Sequence, residues 1–337
     1  MPTLRDLGEF EAIRRLVRAR GPEDPDVLLG PGDDAALLRP HPGEALAVTV
    51  DAFVEGRHWL PAWLSPRGVG ARLAAANLSD LAAMAARPRW ALLSFGLRAD
   101  HDADALLELQ GGVVEALAPF RAAIVGGNLA GVEGAEWVSL TLVGGVAEAR
   151  AWTRSGARPG DLLAVTGRPG RAGAGLALAR ALGPARRAEI ASELLDAWLQ
   201  PVPRVAFALA LAPAGAVTAA VDVSDGVAAD LERLCEASGT GATLEAEAWP
   251  ADDALEGAAQ DLGVPVDALR FAPSDDYELL LAVDPAGRAA CERAARETGA
   301  PLAFVGRFTD APGVIVERGP DGRERALAGA GWDHFAR

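Results

Sequence analysis

The 337-residue chain contains no lysine, so all 32 of its basic residues are arginine. A P-loop sets a lysine on the β- and γ-phosphates and a protein kinase needs its strand lysine, so both designs are excluded. Schiff-base chemistry is excluded with them. Cysteine occurs only at Cys235 and Cys291, far apart and without paired spacing, which gives neither a zinc site nor a disulfide framework and suits a reducing compartment. Positive charge is outweighed: 32 basic against 47 acidic residues leave a net charge of −15. That balance excludes a nucleic-acid or anionic-membrane surface, and an anionic substrate has to arrive with its metal. Long apolar runs are missing too. The longest uncharged stretch, 205–221, is mostly alanine and is interrupted by Pro213 and Gly215, so it reads as a buried helix followed by a strand. The start, MPTLRDLGEFEAIRR, carries charge throughout and does not read as a signal peptide. The expectation is a cytoplasmic protein with no transmembrane segment. Asparagine survives only at Asn77 and Asn128 and tyrosine only at Tyr277, each inside a motif described below.

What is present in quantity is aspartate beside apolar runs. Asp33, Asp34, Asp51, Asp80, Asp222, Asp225 and Asp276 sit in GPGDDAALL, VTVDAFVEG, NLSDLAAM, DVSDGV and PSDDYEL. Carboxylates at strand ends suit magnesium handling polyphosphate, because Mg2+ takes hard oxygen ligands and is usually bound through a few carboxylates plus substrate phosphates. The competing account is that such aspartates are solvated turn residues, and only folding could gather a set this dispersed.

The length favours two domains, with residues 1–148 and 149–337 divided at the polar, turn-rich TRSGARPGD. Apolar residues at Leu7, Phe10, Ile13, Leu16 and Val17 predict one amphipathic helix ending near Gly21. The strand LAVTV leads to Asp51, a helix beginning at Ser65 and Pro66 and running to about Ala86 carries Asp80, and WALLSFGL is a second strand. A helix over 102–117, the strand AAIV, the turn GGNLAG and the strand WVSLTLVGGV complete the first half. The second half alternates strands near 161–166, 216–221, 241–246, 278–283 and 302–306 with helical stretches, an α/β or α+β pattern.

DVSDGVAADL ends a strand at Asp222 and begins a helix near Gly226, leaving Ser224 and Asp225 at a terminus that favours phosphate or, equally, as a plain N-cap. GRPGRAGAGL from Gly167 invites a dinucleotide-binding reading, but its glycine spacing is not the required one and no second strand with an acid follows. His58, beside Gly56 and Arg57, reads as an anion contact or as packing.

Taken in order, GPGDDAALL, the Asp51 strand leading to His58, NLSDLAAM, the glycine pair before Asn128, TRSGARPGD, DVSDG, DDYEL and the terminal GWDHF resemble thiamine-monophosphate kinases. NLSDLAAM and SDG also occur in the wider superfamily of aminoimidazole ribonucleotide synthetases, whereas TRSGARPGD and GWDHF are more specific. The resemblance implies a two-domain aminoimidazole ribonucleotide synthetase-like fold and a homodimer formed by the N-terminal sheet. It further implies ATP with Mg2+, and thiamine monophosphate as phosphoryl acceptor. By the same resemblance Asp34, Thr49, Asp51, Asp80, Asn128, Asp222 and Asp225 match metal ligands, with Val50 contributing through its backbone, and Asp222 and Asp225 stand closest to the chemistry. Gly127, Asn128, Arg154 and Ser224 match ATP contacts, and His58, Asp275 and Trp332 match the positions that hold the thiamine phosphate. Arg154 suits bidentate phosphate binding and Trp332 offers a ring face to a cationic thiazolium.

The sequence departs from the family pattern at three places: Asn128 replaces an aspartate, Gly131 an arginine, and Pro273-Ser274-Asp275 a Gly-Gly-Glu. The last bears on substrate fit; Asn128 and Gly131 favour an alternative, a nucleotide-binding regulatory protein that kept the fold and lost catalysis. A related synthetase is the other alternative. Selenophosphate synthesis needs a cysteine near the N-terminus and hydrogenase maturation one at the C-terminus, and neither is present.

Overall fold

The computed structural model describes residues 2–327, so Trp332 and the GWDHF segment lie outside the described residues. The chain forms two compact units, Met1–Leu81 with Ala86–Glu148, and Ala82–Ala85 with Ala149–Arg337. No helix among the described residues is long and apolar enough to cross a membrane.

The first unit opens with α1 (Leu4–Leu7) and α2 (Glu9–Arg18). The expected single helix is therefore broken at Gly8 and ends at Arg18. Short strands β1 (Val27–Leu29) and β2 (Leu37–Leu38) pair and frame the loop that carries Asp33 and Asp34. Then follow β3 (Glu44–Val54), α3 (Pro66–Ala83), β4 (Arg87–Leu97), α4 (Ala103–Leu117), β5 (Ala123–Gly131) and β6 (Trp137–Ala147). Proline at the first position suits α3, because its missing N–H is unpaired there anyway, and Asp102 caps α4 by accepting the Asp104 N–H.

Strands run β3-β6-β4-β5, with β3/β6 and β6/β4 antiparallel and β4/β5 parallel. Side chains alternate across a sheet, so the rows through Asp51, Leu140 and Leu93 share one face and those through Val50, Thr141 and Leu92 the other. On the first face Leu140, Leu142, Leu93 and Phe95 are buried. On the second, Val48 and Val50 are each 63% exposed and Leu46 and Leu92 are exposed beside them.

The sequence reads GGNLAG as a turn, whereas β5 continues through it to Gly131. A Cβ on Gly127 would lie 2.0 Å from the Leu93 carbonyl oxygen, and the pairing of β4 with β5 slips between Ala91 and Leu92. The glycine pair lets two strands approach closely and does not reverse the chain.

In the second unit the helices are α5 (Arg171–Leu182), α6 (Ser192–Leu199), α7 (Val205–Leu211), α8 (Val227–Ser238), α9 (Asp253–Leu262), α10 (Val266–Arg270) and α11 (Arg288–Thr298). Its strands are β7 (Leu162–Thr166), β8 (Val217–Val223), β9 (Gly241–Glu245), β10 (Glu278–Val283), β11 (Leu302–Thr309), β12 (Ile315–Arg318) and β13 (Glu324–Ala326). They form one sheet in the order β13-β12-β9-β11-β7-β10-β8. Every neighbouring pair is antiparallel except β9/β12, which makes the unit α+β. Leu163, Val165, Val221, Leu280 and Phe308 of the sheet pack with Val227, Leu231 and Leu234 of α8 in one buried cluster. The TRSGARPGD segment lies along the outer edge of β8: the Thr153 carbonyl accepts the Ala220 N–H at 2.8 Å and Asp161 accepts the Thr218 hydroxyl at 2.6 Å.

Beneath β10 the buried Glu278 carboxylate accepts a two-pronged contact from Arg204, Nε at 2.6 Å and Nη2 at 2.5 Å, and the Thr166 hydroxyl at 2.6 Å. Removing one partner of such a pair strands a buried charge. Arg204→Ala is expected to lower unfolding free energy by about 3–5 kcal/mol. Urea denaturation checks this, and a loss below about 1 kcal/mol, the range of an exposed pair, would contradict it.

Candidate functional site

Within the first unit, Asp34, Gly127 and Asn128 line one hollow of about 610 Å³ together with Arg14, Arg18 and Arg20 from the α2 region. That volume suits a small-molecule ligand, and its wall carries both signs of charge, with Glu9, Asp33 and Asp34 beside the three arginines. Asp33 accepts the Asp34 N–H at 2.9 Å and so shapes the loop, while Asp34 itself is exposed. The arginines were not anticipated from the sequence, where they read as the polar face of a helix.

A second set of oxygen donors stands on β3 and α3. Thr49 donates its hydroxyl to the Asp80 carboxylate. Asp51 lies two residues on from Thr49, on the same sheet face and about 7 Å along the strand. Val50 points to the opposite, exposed face, so its side chain takes no part in this set. Asn128 is also on that opposite face, paired with Ser94 in a row that reaches β3 at Ala52. Three inter-strand steps, about 14 Å, separate β5 from β3. The hollow and the Thr49–Asp51–Asp80 set are therefore distinct places on one sheet.

His58 closes the turn after β3. Its Nδ1 accepts the Val54 N–H at 3.0 Å, its ring stacks on Phe53 at 5.5 Å, and Arg72 donates to its carbonyl at 2.7 Å. The accepting Nδ1 fixes the Nε2–H tautomer.

The second unit carries Asp222, Ser224, Asp225 and Asp275 on adjoining strand ends. Asp222 is buried near the end of β8 and pairs with Leu279 of β10, while the Tyr277 N–H donates to the Val223 carbonyl at 2.8 Å. Gly226, at φ +99°, turns the chain into α8; a Cβ there would lie 2.3 Å from the Ala272 carbonyl oxygen, so the SDG turn and the segment leading to Asp275 are in close contact. Neither Ser224 nor Asp225 is the N-cap of α8; Gly226 is. The amides of Ser224 and Asp225 instead donate to the buried Asp230 carboxylate at 3.0 and 2.9 Å. Burial pushes the Asp230 carboxyl above its ordinary range, against the pull of the Asp225 N–H and of Arg233. Arg154 is exposed, and its carbonyl accepts the Ser238 hydroxyl at the end of α8 at 2.9 Å. Asp230 and Arg233 were missed in the sequence; an aspartate on α8 five residues beyond Asp225 was the available signal.

Asp276 belongs to none of these sets. Its fully buried carboxylate accepts the Gly170 N–H at 2.7 Å, the Ala172 N–H at 3.0 Å and the Ser274 hydroxyl. It thereby caps α5 and fills the helix terminus at which a dinucleotide pyrophosphate would have to sit.

The candidate ligands for a divalent ion are carboxylate, hydroxyl, amide and carbonyl oxygens, the hard donors that Mg2+ prefers. Among the described residues no three His, Cys, Asp or Glu side chains converge on one point. Mg2+ commonly takes only one or two carboxylates with the remainder from substrate phosphates, so the residues fit that ion as partial sets.

Residues 32–146 match the family model for the AIR synthase related protein N-terminal domain, and residues 158–319 match that for the C-terminal domain. Over 332 residues the chain is 36% identical to the thiamine-monophosphate kinase of Escherichia coli strain K12, covering 98% of each. It is 37% identical to that of Mycobacterium tuberculosis strain H37Rv over 336 residues, covering 99% of this chain and 93% of the relative. The chain belongs to the thiamine-monophosphate kinase family. The solved thiamine-monophosphate kinase of Stenotrophomonas maltophilia K279a superposes with a TM-score of 0.78 at 31% identity, covering 94% of this chain and 96% of that one. A structure of AaThiL complexed with AMPPCP and TMP matches 99% of both chains, with a TM-score of 0.74 at 27% identity. E. coli HypE, a hydrogenase maturation protein, has a TM-score of 0.77 at 22% identity and shares the fold alone.

In the Pro273-Ser274-Asp275 segment, Ser274 is buried and its hydroxyl donates to Asp276. Ser274 thus helps to hold the loop that carries Asp275. Burial raises the Asp276 pKa from 3.8 to about 6, outweighing the donors from Gly170, Ser274 and Ala172. The folded state therefore binds this proton more tightly than the unfolded one. The associated stability is fully present below about pH 4 and is lost as pH rises through 6, an effect on the order of 3 kcal/mol. Wild-type minus Asp276→Asn unfolding free energies, measured by urea at several pH values, are expected to fall between pH 4 and 6.5; a pH-independent difference would contradict the assignment.

Proposed function

We propose that this chain transfers the γ-phosphoryl group of ATP to the phosphate of thiamine monophosphate, giving thiamine diphosphate and ADP by direct in-line transfer. The observation that carries the reading is full-length similarity to thiamine-monophosphate kinases, at 36% identity over 98% of the chain, with oxygen donors at the Asp51, Asp80, Asp222 and Asp225 positions. AaThiL, solved with AMPPCP and TMP, supports the same pair of substrates.

The acceptor phosphate is already anionic, so no strong general base is required. What the chain must supply is alignment of two polyanions and relief of their repulsion. Arg154 can grip a phosphate through its planar fork, and the hollow with Gly127 and Asn128 is assigned to the nucleotide. Ser224 and Asp225 are partly exposed, and Asp230 holds their amides. His58 and Asp275, with Trp332, are assigned to thiamine monophosphate. Asp34, Thr49, Asp51, Asp80, Asn128, Asp222 and Asp225, with the Val50 backbone, are assigned to Mg2+, which when bound supplies charge neutralisation on the transferring phosphates.

The assembly proposed is a homodimer formed through the exposed face of the first unit's sheet. Val48, Val50, Leu46 and Leu92 make that face apolar, and an apolar row left in water is a marker of an interaction surface. Two buried free thiols and a net charge of −15 agree with a cytoplasmic location.

Phosphorus NMR of the purified protein with ATP, Mg2+ and thiamine monophosphate should show a diphosphate and ADP appearing together. Bound ATP without conversion would favour the non-catalytic alternative. Asp222→Ala and Asp51→Ala are each expected to keep the fold and lose activity by about 100-fold or more, the effect of several kcal/mol of lost charge stabilisation; wild-type turnover in either would sink the metal assignment. Val48→Asp is expected to convert the dimer to monomer in sedimentation velocity, and an unchanged sedimentation coefficient would remove this face from the interface.

A further inference from the structure

Arg233 is the feature of the second unit that no family role absorbs. A single nitrogen of its guanidinium, Nη1, lies 2.5 Å from Asp225 Oδ2 and 2.6 Å from Asp230 Oδ1. The two carboxylates differ in every other respect. Asp230 is buried and is anchored by the Ser224 and Asp225 amides as well as by Arg233. Asp225 is partly exposed. The Arg233 guanidinium is a donor to both carboxylates and stays cationic in a protein.

We propose that Arg233 is a built-in counter-ion latch, holding the Asp225 carboxylate when no divalent cation is bound and passing wholly to Asp230 when that carboxylate turns to a metal. The inference rests on the reading of Asp225 as a metal ligand. The geometry supplies both states with one partner each. Because Nη1 already touches Asp230, releasing Asp225 leaves the guanidinium paired and no buried charge stranded. Because Arg233 is 39% exposed on its side chain, the contact given up is a weak one, easily exchanged. The latch also keeps two like charges, Asp225 and Asp230, compatible on one short turn when nothing else neutralises them.

The test is binding of Mn2+ alone to the full chain, read from the electron paramagnetic resonance signal of free Mn2+. Arg233→Gln keeps a donor to Asp230 and removes the competing charge, so Mn2+ affinity is expected to tighten by about threefold, the scale of breaking a half-exposed ion pair. Asp230→Asn takes away the second home of the guanidinium and is expected to weaken Mn2+ binding. In the double variant the loss should disappear, since no guanidinium remains to compete. An unchanged affinity in Arg233→Gln, or weakening in both single variants that persists in the double one, overturns the latch and leaves Asp230 and Arg233 as structural supports of the turn. A weaker affinity in Arg233→Gln together with a raised KM for ATP overturns it also, by placing Arg233 among the phosphate contacts. Absence of saturable Mn2+ binding in the wild type overturns the latch and the metal reading together, whereas wild-type binding with no difference in Arg233→Gln overturns the latch alone.

Discussion

The constraint on which the candidate loops depend is that carboxylates must be buried beside them in a lysine-free chain of net charge −15. A buried carboxylate costs several kcal/mol in a low-dielectric setting unless it is given an opposite partner or a set of N–H donors. The chain uses both remedies. Asp230 and Asp276 are turned inward onto backbone amides, and Glu278 and Asp252 are gripped by arginine forks. The first two each fix a loop that carries partly exposed functional candidates. Asp230 shapes the turn of Ser224 and Asp225, and Asp276 shapes the loop of Asp275.

This arrangement changes what the glycine-rich segments are for. In many nucleotide-binding proteins a glycine loop opens a helix so that its N-terminal amides meet phosphate. Here the protein's own carboxylate, Asp276, takes the amides at the start of α5, and Asp230 takes those of Ser224 and Asp225 just before α8. An anion from outside would have to displace an anion already inside. In the proposed function phosphate handling falls instead to guanidinium groups and to oxygen donors suited to a divalent ion, which is the solution expected of a chain without the P-loop lysine.

Elements with a start signal or a continuous apolar run were legible in the sequence. The β3 run before Asp51, α3 opening at Pro66, α4 opening after Asp102 and the fully buried β10 all carry such marks. Four short strands, β1, β2, β12 and β13, were not legible, since two to four residues hold no period and their pairing is decided by distant partners. GGNLAG misled because glycines mark turns and close strand approaches alike, and only the Leu93 carbonyl beside Gly127 distinguishes them. For the candidate site, motif order named candidate residues but not their grouping. Nothing local says that Asn128 lies three strands from Asp51 on the other sheet face, or that Asp276, adjacent to Asp275, is a helix cap.

Arginine geometry separates the carboxylates that hold the structure from those free to change partners. Arg171 reaches both oxygens of Asp252 through Nε at 2.7 Å and Nη2 at 2.8 Å, and Arg204 does the same to Glu278. A planar fork meeting a planar carboxylate twice resists rotation, because turning either group breaks both contacts at once. Asp225 has no such grip: Arg233 meets it through one nitrogen, which it shares with Asp230. A carboxylate held at one point can rotate toward another cation while the guanidinium keeps a partner. The same residue type thus serves as clamp or as exchangeable counter-charge, according to how many of its nitrogens are engaged.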